Sequence, residues 1–206
     1  MRKWILGALL VSIVAPLSAQ TADALWQSLM DGNKAYVAGK LTYDHLAEQR
    51  RASADKQNPP VAVLSCADSR VPPELIFDRS VDQLFVVRVA GNIPDEFDIA
   101  SMEFAIANGW TKLIVVLGHD NCGAVKAAMD KNDPPTPALV ALVHRIRESF
   151  AKKPANLNEG IAENTRGSAA YLTAHSKVIR DAVAAKKVAI VPAVYHLDSG
   201  VVDRLK

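Results

Sequence analysis

Three side chains in this sequence are of the kind that binds a soft divalent metal: Cys66, His119 and Cys122. Cys66 ends an apolar run, and the other two fall within Gly118-His119-Asp120-Asn121-Cys122. Two thiolates and one imidazole form a zinc-type donor set, and three protein ligands with an open fourth position is the arrangement that catalytic zinc sites keep. His-x-x-Cys at a strand-to-helix turn lets both side chains face one ion, with Gly123 freeing the backbone for the turn. A helix starting near Cys122 favours thiolate over thiol. Asp68 and Arg70 lie two and four residues past Cys66, and a carboxylate and a guanidinium can form a charge-assisted pair. Two plainer readings stand alongside. One is a Cys66–Cys122 disulfide without metal, which leaves Asp68, Arg70 and His119 unexplained; the other is an ordinary Asp68–Arg70 salt bridge.

For these groups to meet, segments more than fifty residues apart must end in one place. Four short apolar runs, at 61–66, 84–90, 112–118 and 187–194, are rich in Val and Ile with little alternation. Such runs read as strands covered on both faces, as in a parallel sheet. Helical patterns separate them. Asp98 caps a segment carrying Ile99, Met102 and Ile106 that closes at Asn108-Gly109, and further helices fall at 123–129, 137–150 and 168–186. Strands alternating with helices imply right-handed crossovers and an α/β fold, a mostly parallel sheet flanked by helices. The crevice of such a sheet lies at the carboxyl ends of its strands, where Cys66 and His119 would both sit. Residues 21–49 read as helical, with Leu25, Trp26 and Leu29 as an apolar stripe and Gly32 and Gly39 as interruptions. The segment 130–137 reads as a loop, either a surface excursion or a rim over the site.

The neighbourhood of these residues narrows the chemistry. Cys66-Ala67-Asp68-Ser69-Arg70, Gly91-Asn92, Ser101-Met102-Glu103-Phe104 and Gly118 to Gly123 occur in order, with weaker echoes at Glu163-Asn164 and Tyr195 to Gly200. Together they resemble the β-class carbonic anhydrases. The resemblance implies an enzyme with one zinc ion per subunit that interconverts carbon dioxide with bicarbonate and a proton by attack of metal-bound hydroxide. Cys66, His119 and Cys122 match the zinc ligands, and Asp68 and Arg70 match a dyad beside the metal. Asp68 becomes a fourth ligand in a closed form when its pairing with Arg70 breaks. Gln57 and Phe85 match pocket positions, Gln57 as a donor to the developing bicarbonate. Ala90 and Phe104 complete a small apolar wall, Phe104 standing where a tyrosine is common. The family's N-terminal helices clasp a second subunit, so a homodimer or tetramer is implied, with Arg88 serving the interface or the sheet. The same features also suit a hydrolase of carbonyl sulfide or carbon disulfide, or a non-catalytic zinc-binding or thiol-redox protein.

Composition bounds the rest. The chain has 206 residues, 50% hydrophobic and 22% charged, with two cysteines. That excludes a disordered chain and a disulfide scaffold, and suits one sizeable core. Lys and Arg number 24 against 22 acidic residues, and Arg2 and Lys3 supply the whole excess, so nucleic acid is not an expected partner. Met1-Arg2-Lys3, the apolar stretch 4–15 and Leu17-Ser18-Ala19 have the form of a secretory signal peptide cleaved after Ala19. The mature protein is then a single domain, 20–206, periplasmic or secreted. The leader's apolar run falls short of the roughly 20 residues a spanning helix needs, and no later stretch reaches that length, so no stable membrane insertion is expected. Of the other histidines, His175 reads as packed on a helix's apolar face, and His144 and His45 as solvated. His196 follows a strand, from which it could approach a site.

Overall fold

The computed structural model describes residues 21–42 and 45–206; the leader proposed for 1–19 lies outside them. Its centre is a five-stranded sheet in the order β2-β1-β3-β4-β5, formed by β1 (Val61–Ser65), β2 (Leu84–Arg88), β3 (Leu113–His119), β4 (Ala189–Tyr195) and β5 (Val202–Arg204). The first four are parallel, and β5 returns antiparallel to β4. All residues of β1 and β3 are buried, the burial pattern of central strands covered on both faces.

Among the described residues, eight helices flank the sheet: α1 (Ala22–Val37), α2 (Leu46–Ala52), α3 (Pro73–Ile76), α4 (Glu96–Ala107), α5 (Gly123–Met129), α6 (Pro137–Ser149), α7 (Leu157–His175) and α8 (Lys177–Ala184). Because side chains alternate along a strand, each strand feeds two cores. Val61, Val63, Leu113, Val115 and Leu117 face one way with Leu25 and Leu29 of α1. Ala62, Leu64, Ile114 and Val116 face the other way with Ile99 and Met102 of α4 and Ile179 of α8. A third cluster caps the carboxyl ends of the strands and contains Cys66, Cys122, Val125, Ile146 and Ile161.

Several details differ from the sequence expectation. The stripe at Leu25 and Leu29 enters this chain's own core, while α2 buries no residue. Gly32 does not interrupt α1. It lets the helix touch the loop after α3, where an added Cβ would stand 1.9 Å from the Phe77 carbonyl oxygen. The cap of α4 is Asp95, whose carboxylate accepts from the backbone of Phe97 and Asp98 while Asp98 bonds back in a capping box. The segment 168–186 is the end of a longer helix and a second short one, divided at Ser176, whose hydroxyl accepts from Ile179 N–H at 3.0 Å. The segment after α5 is stapled to α6 by Arg147, which donates to the carbonyls of Ala128 and Asp130 and to Asp133 Oδ1. Among the described residues, no helix is long and apolar enough to cross a membrane.

Candidate metal centre

The parallel register of β1 with β3 pairs Ser65 with Leu117, so the chain leaving β1 at Cys66 runs beside Gly118-His119. After His119 the backbone turns through Asn121, at φ +54°, and Cys122 becomes the N-cap of α5. The metal-binding atoms of Cys66, His119 and Cys122 lie within 4.8 Å of one another, and all three residues are buried. Both cysteines are free, so the disulfide alternative is not the arrangement present.

Each member is held from outside the trio. The Gly91 N–H donates to Cys66 Sγ at 3.3 Å. Gly91 has φ +72°, and a Cβ there would come within 2.7 Å of Ile146 Cδ1. Asn164 of α7 fixes that turn by donating to the Gly91 carbonyl at 2.7 Å while accepting from Ser149. His119 Nδ1 lies 2.8 Å from the Asp120 carbonyl oxygen. A carbonyl can only accept, so Nδ1 carries the proton and Nε2 presents its lone pair. That Nε2 is buried and has no hydrogen-bond partner. An unpartnered buried acceptor is costly, and this one faces two sulfurs. A divalent metal resolves the cost, and the donor set fits zinc.

The electrostatics agree. Cys66 accepts a hydrogen bond from Cys122 and is drawn down to about 4, with His119 and two backbone N–H groups adding to the effect. Cys122, the donor of that bond and itself buried, is pushed up. Burial opposes a charge on His119, but the neighbouring Cys66 thiolate outweighs it and raises the imidazole. The Cys66 thiolate is the negative charge in this cluster that a cation would meet.

Asp68 and Arg70 form the expected pair. Asp68 Oδ1 accepts from the backbone N–H and Nε of Arg70, both at 2.9 Å, and Oδ2 accepts from Nη2 at 2.8 Å. This pairing holds the Asp68 carboxyl well below the usual carboxylate range. Oδ2 also stands 3.9 Å from His119 Nε2, next to the trio but outside it. Arg88 supports the same loop, donating to the carbonyls of Cys66 at 3.1 Å and Asp68 at 2.6 Å.

The remaining expected pocket residues divide. Ala90 sits in the turn with Gly91, next to Cys66. Gln57 is exposed and precedes β1, at the opposite end of the strand from Cys66. Phe85 pairs with Ala62 low on the sheet and packs into the α4–α8 core. Phe104 is 55% exposed on α4, with its ring edge-on to Trp110. The chain therefore does not bring Gln57, Phe85 or Phe104 to its own metal-binding trio. A second correction concerns His175, which is exposed and stacked on Tyr171 rather than packed in the core. His144 and His45 are exposed, paired with Asp133 and Glu48.

The sequence places His196 after a strand, from which it could approach a site, and its ring lies in a cleft of about 740 Å³ that it shares with Arg70, Asp120 and Asn121. Its signal was its place just after a strand that ends at the metal-binding side, but only the β3–β4 register, which pairs His119 with Tyr195, shows that it arrives there.

Comparison with known proteins decides the family. The family model for carbonic anhydrase matches residues 61–202. The chain belongs to the carbonic anhydrase family. A carbonic anhydrase of Mycolicibacterium smegmatis is 38% identical over 188 residues, covering 87% of this chain and 91% of that protein. Carbonic anhydrase 2 of Mycobacterium tuberculosis is 36% identical, covering 86% and 89%. The fold is that of the β class. A Coccomyxa β-carbonic anhydrase superposes with a TM-score of 0.71 at 24% identity, over 86% of this chain and 84% of that one. A β-carbonic anhydrase of Aspergillus fumigatus gives 0.71 at 22% identity, over 88% and 90%.

Proposed function

We propose that this carbonic anhydrase is an exported zinc enzyme that interconverts carbon dioxide with bicarbonate and a proton. The observation that carries the reading is the lone pair of His119 Nε2, buried without a partner and facing Cys66 and Cys122, with an Arg70-locked Asp68 alongside. Those three residues would hold the zinc. When bound, zinc lowers the pKa of a water from about 15.7 to roughly 7, which supplies a nucleophile near neutral pH.

The chain's own residues do the rest. Arg70 keeps Asp68 ionised, so Asp68 acts purely as an acceptor. From beside His119, Asp68 Oδ2 takes the hydrogen bond of a water and turns that water's lone pair toward the substrate. Ile93 and Val125 pack with Cys66 and Cys122 of the trio and give an apolar carbon dioxide molecule a dry approach. Gln57, Phe85 and Phe104 reach such a pocket only from a neighbouring copy of the chain. Homo-oligomer assembly, through the exposed face of α4, reconciles their resemblance to pocket positions with their place in this fold. Solved relatives of this fold from Sordaria macrospora are tetrameric β-carbonic anhydrases.

Metal analysis with stopped-flow hydration tests the reading. Wild type should carry one zinc per chain and hydrate carbon dioxide rapidly, and Cys66→Ser should lose both. Stoichiometric zinc without turnover would reduce the protein to a metal binder. Export rests on the Met1–Ala19 pattern; an N-terminus at Gln20 in the exported fraction is expected, and an intact Met1 there would overturn it.

A further inference from the structure

Hydration releases a proton, and the Asp68–Arg70 dyad has nowhere to send it. Asp68 already takes three bonds from Arg70, and a guanidinium does not give up its proton in a protein. The cleft beside the dyad contains one imidazole. His196 Nδ1 lies 2.9 Å from Asp120 Oδ2, and its Nε2 lies 3.2 Å from Asp203 Oδ2. The side chains form a graded path to solvent, Asp120 at 23% exposure, His196 at 34% and Asp203 at 70%.

We propose that His196 is the group that carries the hydration proton from the metal centre to solvent, an inference that rests on the carbonic anhydrase reading above. Asp120 accepts Nδ1–H and fixes the tautomer, which leaves Nε2 as the exchanging nitrogen. Water in the cleft shared with Arg70 delivers the proton to Nε2, and the imidazolium returns it to external buffer past Asp203. The ring ends each cycle as it began, with the proton lost by the substrate water gained by buffer.

Two features favour this over a merely supporting role. Asp120 is already fixed through its backbone, since its N–H donates to the Tyr195 carbonyl at 3.1 Å and its carbonyl accepts from His119. Its carboxylate is therefore not needed to hold the ligand loop. The charged groups around the ring also suit proton exchange. Asp120 on the β3–α5 loop, Asp198 and Asp203 on the ring's own hairpin, and Arg70 face the cleft, while α7 presents only Asn158, Ile161 and Ala162. Burial opposes a charge on the imidazole, but the two aspartates prevail and raise it.

The test is His196→Ala in the zinc-loaded protein. At low buffer concentration kcat should fall about tenfold or more, with kcat/KM for carbon dioxide within about twofold of wild type. Imidazole buffer should restore kcat, and zinc content should be unchanged. Nitrogen-15 spectra of the wild type should show His196 Nδ1 protonated throughout and Nε2 titrating above the usual histidine value. An unaltered kcat, a failure of imidazole to rescue, or a parallel fall of kcat and kcat/KM with loss of zinc would each overturn the relay. The last result would make His196 a positioning residue. A wild type that binds zinc but does not hydrate carbon dioxide overturns the enzyme reading itself and the relay with it.

Discussion

Asp68 acts through its neighbour. Its two oxygens take three bonds from Arg70, so it cannot move onto the metal without losing all of them. Asp68→Asn replaces one acceptor oxygen with a donor that clashes with the guanidinium and leaves the trio intact. The variant should keep its zinc and lose about 10²- to 10³-fold in kcat/KM, the scale seen for losing an oriented polar group in a reaction centre. Full activity in this variant would remove Asp68 from the mechanism. Because the folded pKa of Asp68 is depressed, its pairing contributes fully above the unfolded carboxylate value of about 3.9 and is lost only as pH falls through the lower folded value. Activity that disappears on mild acidification, between about pH 6 and 7, should therefore not follow Asp68 protonation. Infrared spectra of the carboxylate across that range should show Asp68 ionised throughout.

At the scale of elements, legibility followed burial. The central strands β1 and β3 could be read because strands covered on both faces must be continuously apolar, and 61–65 and 113–119 are buried throughout. β5 is three residues with two exposed, and nothing in Val202-Asp203-Arg204 marks a strand apart from its pairing with Ala193 to Tyr195. The metal trio was legible because its chemistry fixes residue types, whereas the partners of His196 are set by tertiary register alone. The role of Gly32 was hidden for the same reason, since its need for a missing Cβ comes from Phe77, forty-five residues away. Gly32→Ala should cost about 2–4 kcal/mol through that backbone clash, read as a lowered Tm, and a neutral effect would mean that α1 is not docked there. α1 also reaches the C-terminal hairpin, as Asn33 donates to the Gly200 carbonyl and accepts from Val202 N–H. A side-chain tether within the hairpin is the His196–Asp203 pair, 3.2 Å apart. With the folded pKa of His196 raised, that tether is complete below about pH 6.5, the unfolded value, and is lost as pH rises through the higher folded value. Amide exchange in 202–204 should accelerate across that alkaline step, beyond its ordinary base catalysis, and the extra acceleration should vanish in Asp203→Asn.

At the scale of the whole molecule, α4 carries two exposed aromatic side chains. Phe97 and Phe104 are 73% and 55% exposed, and seven residues apart on α4 they share one face. Large aromatics so exposed on one helix mark a contact surface. The outer edge of β2 on the same side of the sheet has no partner strand among the described residues, an edge that proteins ordinarily cover. If a second copy covers this face, it can also bring Phe104 and Gln57 toward a metal centre that they do not reach in their own chain. Phe104→Asp separates the possibilities because the side chain is exposed and its ring meets Trp110 edge-on, so the fold should survive. The expected result is a smaller species by sedimentation, zinc retained through the untouched trio, and at least a tenfold loss of carbon dioxide hydration. A monomeric variant with wild-type hydration would mean that the pocket is complete within one chain. A variant that stays assembled would place the contact on another face.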